Sequence, residues 1–172
     1  MKNIRNIVHI AAAALLLVPA GPSWSHGDAQ PAARAREAPE QQAWGIAGDA
    51  RGARKVAVRM GDDMRFRPGR IEVREGETIR FVAHNGGKVL HEMVIGTPEE
   101  LREHAALMKR FPKMEHAEAH MTHVKPGANG EIVWNFNRPG TFQFACLVPG
   151  HYDAGMTGTI VVTPAHPQGK KS

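Results

Sequence analysis

Residues 71–81 read Ile-Glu-Val-Arg-Glu-Gly-Glu-Thr-Ile-Arg-Phe, and this stretch decides the fold class. Apolar and polar residues alternate on both sides of the Glu-Gly-Glu turn, as in strands with one buried and one wet face. The same alternation recurs along the chain between Gly, Pro and Asn breaks, and it predicts an all-β antiparallel sandwich. The predicted strands are Lys55–Met60, Arg70–Arg74, Thr78–Ala83, His91–Ile95, Glu131–Phe136, Thr141–Cys146 and Gly158–Thr163.

One stretch within this β pattern is helical. Thr97 is a suitable N-cap, Pro98 stands at the first helical position, and Glu100 completes a capping box. The helix is expected to end near Arg110, and residues 97–129 are interpreted as a helical insertion in the β domain. Its apolar side consists of Leu101, Ala105 and Met108.

The N-terminal segment has the features of an export signal. Lys2 and Arg5 precede the apolar run Ile7–Val18, which has the length of a signal-peptide core and is too short to span a bilayer. Residues 1–25 are therefore predicted to be a signal peptide, with cleavage after residue 20 or after residue 25. An uncleaved membrane anchor is the alternative. We expect the mature protein in a bacterial periplasm.

The composition of the flanking segments predicts linkers around a single domain. Residues 26–52 are rich in Ala, Pro, Gln, Gly and Arg without periodicity, which is typical of a flexible arm. The domain is expected to span residues 53–163, with a short tail at 164–172. The net charge is +5, but basic and acidic residues are interleaved, so no nucleic-acid-binding surface is indicated.

The metal-binding residue types are unevenly represented. The chain has one Cys against 10 His and 8 Met, which excludes a disulfide within the chain and any site that needs two thiolates. Cys146, His151 and Met156 form a C-x4-H-x4-M pattern between two predicted strands. Thiolate, imidazole and thioether are soft donors that select copper over hard cations, although zinc could occupy the same ligands. His91, after the break at residues 85–90, is the best candidate for a second imidazole. The alternative is a buried, inert thiol beside surface histidines.

Several segments resemble the cupredoxin family of small copper proteins. The matching pieces are residues 64–68, 71–81, Asn85, 91–96 and 140–146, followed by His151, Met156 and Gly158. The resemblance covers about residues 53–163 and implies a Greek-key β-sandwich with a type 1 copper ion at one end. It implies equatorial ligands at His91, Cys146 and His151 and an axial ligand at Met156. It also implies that Asn85 ties the two ligand loops together by side-chain hydrogen bonds.

The predicted insertion is unusually rich in Met and His. A possible second, exposed copper site there would use Met108, Met114, His116, His120, Met121 and His123. If the chain is helical at this point, His116 and His120 share one face. The alternative is that the Met residues pack on the sheet and the His residues face solvent. With the export signal, this composition also resembles the periplasmic cupredoxins of bacterial copper-tolerance systems.

These features lead to two hypotheses about function. The first is a periplasmic copper protein that supports copper tolerance by sequestering or transferring copper, with redox cycling at the type 1 site. The alternative is a soluble electron carrier between respiratory-chain partners. The partners would be copper ions and a periplasmic redox or copper-transport protein. We expect no enzymatic activity, because copper nitrite reductases and multicopper oxidases need a further catalytic copper site, usually across two or three such domains.

Overall fold

The computed structural model describes residues 39–112 and 117–165, all within one compact unit. The predicted signal peptide, the arm up to residue 38 and the tail from residue 166 lie outside the described residues. No helix in the described part is long and apolar enough to cross a membrane. The described elements are β1 Ile46–Ala47, β2 Arg54–Gly61, β3 Arg65–Arg67, β4 Arg70–Arg74, β5 Glu77–Asn85, β6 His91–Gly96, α1 Pro98–Arg110, β7 Met121–Val124, β8 Asn129–Phe136, β9 Gly140–Ala145 and β10 Thr157–Thr163.

The strands form two five-stranded sheets that pack face to face. The first sheet has the order β1-β8-β5-β2-β3 and the second has the order β4-β10-β9-β6-β7. Alternate residues of each strand point inward, as in β4, where Ile71 and Val73 are buried between exposed neighbours. The inner faces meet in a core that contains Phe81, Trp134 and Phe144. All seven predicted strands are present, so the predicted β-sandwich is confirmed.

The sheets are mixed, so the predicted antiparallel pairing holds for most neighbouring strands but is wrong for two pairs. Strand β2 runs parallel to β5, and β4 runs parallel to β10. Between β3 and β5 the chain crosses to the second sheet as β4 and then returns, which supplies the crossover that parallel neighbours need. A strand with one wet face alternates in the same way whether its neighbour is parallel or antiparallel, so the sequence pattern cannot distinguish the two.

The predicted helix is confirmed together with its cap. The hydroxyl of Thr97 accepts a hydrogen bond from the Glu100 backbone N–H at 3.2 Å, and the Glu100 carboxylate accepts one from the Thr97 N–H at 3.2 Å. The helix packs on the outer face of the second sheet. The apolar cluster between them contains Val94, Leu101, Ala105, Met108, Met121, Ala145 and Leu147.

The interpretation of residues 97–129 as a helical insertion is wrong for residues 117–129, none of which is helical. Residues Met121–Val124 form β7, which pairs antiparallel with β6, and β8 begins at Asn129. Without β7, one edge of β6 would have unpaired backbone N–H and C=O groups. Strand β7 forms there because it supplies hydrogen-bond partners for these groups. The side chain of Met121 meanwhile fills the cluster under α1.

The end of the predicted flexible arm is packed against the sandwich. Trp44 is buried, and its ring stacks on Trp134 with ring centroids 6.4 Å apart. The indole N–H of Trp134 donates to the Trp44 carbonyl at 3.2 Å, and Ile46–Ala47 pair with β8. The prediction of a flexible arm over residues 26–52 is therefore wrong for residues 44–47. The composition of the segment gave no sign that its one large aromatic residue packs into the core.

We expect Trp44→Ala to lower the free energy of unfolding by about 3 kcal/mol, because it removes a large buried side chain and leaves a cavity beside Trp134. Denaturant unfolding of the copper-free protein measures this loss. The exposed Arg51→Ala is the matched control in the same segment and should leave the free energy of unfolding close to that of wild type. Equal stability of the two variants would show that the segment does not contribute to the fold.

Candidate metal centre

The predicted ligands come from one strand start and one loop. His91 is the first residue of β6, and Cys146 follows the last residue of β9. Since β6 and β9 are antiparallel neighbours, with Val94 opposite Ala145, these two residues lie at the same end of the sheet. The loop from Cys146 to β10 then supplies His151 and Met156.

Three of the four predicted ligands meet at one point. The Cys146 Sγ lies 3.9 Å from His91 Nδ1 and 3.3 Å from His151 Nδ1. The ligand atoms of the three residues all lie within 4.8 Å of one another. In the described part of the chain, no other group of His, Cys, Asp and Glu has this geometry. His91 and Cys146 are fully buried, whereas His151 is partly exposed.

Met156 is buried in the same core cluster as Cys146. Its carbonyl accepts a hydrogen bond from the Cys146 N–H at 3.1 Å, and its N–H donates to the His151 carbonyl at 3.0 Å. The first bond joins the two ends of the ligand loop, and the second joins its C-terminal end to His151 in its middle. The axial role of Met156 stays a prediction.

The chain itself fixes the shape of the ligand loop. Gly150 and Gly155 have φ angles of 89° and 82°, a left-handed conformation that is cheap only for glycine. The Arg65 side chain donates to the Ala154 carbonyl at 3.0 Å, and Lys109 of α1 forms an ion pair with Asp153. The loop is thus supported from β3 and from α1.

The Asp62 carboxylate supports the first histidine, a contact that the sequence did not reveal. It accepts hydrogen bonds from the Lys88 backbone N–H at 2.8 Å and from His91 Nε2 at 3.3 Å. A carboxylate on Nε2 fixes the tautomer whose Nδ1 lone pair is free to bind a metal. The Lys88 N–H is also the main cause that lowers the pKa of Asp62 below its ordinary value. The residue stands in a polar turn 29 positions before His91, so no local pattern links the two.

Asn85 does not tie the two ligand loops together, contrary to the expectation from the resemblance. Its side-chain amide donates to the carbonyls of Val89 and Val124, both at 2.8 Å, and its Oδ1 accepts from the Gly87 N–H. It therefore braces the loop before His91 against the end of β7. It stands at the end of β5, where its side chain reaches β7 and not the loop after Cys146.

Glu92 makes the connection that was expected of Asn85. Its Oε1 accepts a hydrogen bond from the Leu147 N–H at 2.8 Å, and its own N–H donates to the Cys146 Sγ at 3.4 Å. This role was not predictable from the sequence, because a Glu within a strand is ordinarily solvent-exposed. The one available signal was its place between His91 and Met93 in a segment of otherwise apolar residues.

The described members of the proposed second copper site lie in three different surroundings. Met108 and Met121 pack in the apolar cluster under α1. The His120 ring lies edge-on to two tryptophan rings, with centroid distances of 5.3 and 5.9 Å. The His123 Nε2 lies 2.9 Å from a Glu92 carboxylate oxygen. Met114 and His116 lie outside the described residues.

The pKa shifts of Cys146 and His151 suit a site that binds a metal ion. Burial raises the pKa of the Cys146 thiol to about 12, so the metal-free thiol is protonated at neutral pH. Burial, and then the neighbouring His91, lower the pKa of His151, which keeps its imidazole neutral and able to bind a metal. One thiol and two imidazoles converge without a carboxylate among them, a donor set that fits copper.

Comparison with known proteins supports the same assignment. The model of the copper-binding proteins of the plastocyanin/azurin family matches residues 53–163. The chain belongs to this family. Copper is therefore the cofactor that the cluster of His91, Cys146 and His151 fits.

Named relatives within the family include proteins from several bacteria. The copper-resistant cuproprotein CopI of Rubrivivax gelatinosus is 51% identical over 138 residues, which is 80% of this chain and 82% of that protein. A CopI of Pseudomonas aeruginosa is 36% identical over 144 residues, or 67% of this chain and 79% of that protein.

Solved structures confirm the cupredoxin fold. Auracyanin from Roseiflexus castenholzii aligns with a TM-score of 0.57 and 23% identity, over 65% of this chain and 98% of that one. Auracyanin B aligns with a TM-score of 0.58 and 21% identity, over 72% of this chain and 97% of that one. At these identities the likeness establishes the fold alone.

We expect copper binding to release a proton from Cys146, because the thiol must ionise to bind and its pKa in the metal-free protein is about 12. Below that pKa, the thiol contributes about a tenfold gain in apparent affinity for each unit rise in pH. Calorimetric titration in buffers of different ionisation enthalpy counts the protons released at neutral pH. Cys146→Ser should lack this release, and a wild-type titration without it would contradict the assigned ligand.

Proposed function

We propose that this copper protein works in the bacterial periplasm and supports copper tolerance by sequestering or handing on copper. Redox cycling between Cu(I) and Cu(II) at the type 1 site is part of the proposal. The observation that carries it is the convergence of one buried thiol and two imidazoles in the described structure. The two CopI relatives, which bear the name copper-resistant cuproproteins, support the link to tolerance.

The exposure of the ligands suits the capture and release of an ion. His91 and Cys146 are fully buried, and His151 is the partly exposed member of the cluster. An ion can therefore meet His151 first and then reach the buried thiol. Bound copper supplies a one-electron change, and the braced loops keep the ligands nearly fixed during that change.

Electron transfer between respiratory partners is the second candidate function. The observation that favours it is the exposure of two apolar residues, Val89 and Leu90, in the loop that leads to His91. Exposed apolar side chains near a redox centre suit brief contact with a partner protein. We further propose that the protein is not an enzyme, because the described residues of its domain at 53–163 offer one type 1 ligand set.

We expect Cys146→Ala to abolish the intense thiolate-to-copper absorption band and to lower the affinity for copper. Met156→Leu should keep both the copper and the band but raise the reduction potential, because it removes a donor that stabilises Cu(II). Copper titration with visible spectroscopy and metal analysis after desalting measure these effects. The exposed His84→Ala is the control and should behave as wild type. A visible band that persists in Cys146→Ala would refute the site.

Growth measurements distinguish the two candidate functions. Removal of the gene should sensitise the cells to copper, and wild type but not Cys146→Ala should restore growth. Cell fractionation should place the protein in the periplasm with residues 1–25 removed. Normal copper tolerance in the deletion strain, together with rapid electron exchange with a periplasmic cytochrome, would contradict the tolerance proposal and favour the electron carrier.

A further inference from the structure

Glu92 is an acidic residue buried beside the metal centre. Among the described residues, the buried polar ones are Asn85, His91 and Glu92, and Glu92 is 2% exposed. Burial of a carboxylate costs several kcal/mol unless hydrogen bonds and opposite charges compensate it. A buried carboxylate at this position therefore indicates a role that an apolar or amide side chain would not fill.

The backbone and side chain of Glu92 both contact the segment that carries the thiol. The Glu92 N–H donates to the Cys146 Sγ at 3.4 Å, and Oε1 accepts from the Leu147 N–H at 2.8 Å. One residue thus contacts two consecutive residues of the second ligand loop, while its own chain neighbour is the ligand His91. A shift of either loop would break at least one of these bonds.

The second carboxylate oxygen of Glu92 contacts a residue that is partly exposed at the surface. Oε2 lies 2.9 Å from the Nε2 of His123, which stands directly opposite Glu92 in the β6–β7 pairing. The His123 side chain is 38% exposed, whereas that of Glu92 is 3% exposed. The imidazole therefore contacts the buried carboxylate from a position that is itself in contact with solvent.

An amide could make the loop-to-loop hydrogen bond without the cost of burying a charge. Glutamine has an acceptor oxygen for the Leu147 N–H and nearly the same shape. What the carboxylate adds is its negative charge. A fixed negative charge near the centre favours Cu(II) over Cu(I), because the oxidised ion carries the larger positive charge.

We propose that the carboxylate of Glu92, with His123 as its hydrogen-bond partner, lowers the reduction potential of the copper held by the two loops that Glu92 connects. The inference rests on the copper centre that the proposed function also uses. The two have separate readouts, since the potential is measured on the purified protein and tolerance is measured by growth.

Glu92→Gln and His123→Ala test the proposal on the full copper-loaded protein. Glu92→Gln should retain one copper and the visible band. At a fixed potential it should raise the ratio of Cu(I) to Cu(II) about tenfold, which is about 59 mV for a one-electron couple. His123→Ala should shift the ratio in the opposite direction, because the carboxylate loses its hydrogen-bond partner. Spectroelectrochemical titration of the band measures both shifts.

Glu103→Gln is the matched control, because it removes an exposed carboxylate from α1 and should keep the wild-type potential. A purely structural role for Glu92 would change the spectrum or the copper content without opposite shifts in the two variants. His123→Ala alters a partly exposed side chain, so it tests the proposal even if Glu92→Gln folds poorly. A wild-type potential in Glu92→Gln, or shifts of the same sign in both variants, would overturn it.

Discussion

The antiparallel pairing of β6 with β9 is the interaction on which the metal centre depends. It places Val94 opposite Ala145, and thereby brings the start of one strand beside the end of the other. A slip of β6 by one residue would turn His91 to the outer face and Glu92 to the inner face. The ligand cluster is thus a consequence of sheet register, which the buried side chains of both faces enforce.

Three polar side chains hold the ligands and their loops in place once the strand register has brought them together. Asp62 contacts the far nitrogen of His91, Asn85 braces the preceding loop, and Glu92 joins β6 to the residue after Cys146. Each spans two segments that are distant in sequence. Contacts of this kind make the ligand positions a property of the protein, so that copper enters an arrangement that already exists.

The seven longer strands and α1 were predictable because their signals are local. Period-two alternation marked the strands, and Thr97 with Glu100 marked the start of the helix. The short strand β7 was missed because four residues show no clear period, and its Met121 and His123 were assigned to a metal site instead. The ligand types were predictable from C-x4-H-x4-M. The roles of Asp62 and Glu92 were not, because they depend on which distant backbone each side chain meets.

X-ray absorption at the copper edge of the loaded protein tests whether His91, Cys146 and His151 together bind one copper ion. We expect two nitrogen ligands and one short copper–sulfur distance, with the sulfur lost in Cys146→Ala. A shell of nitrogen and oxygen alone in the wild-type protein would contradict this assignment.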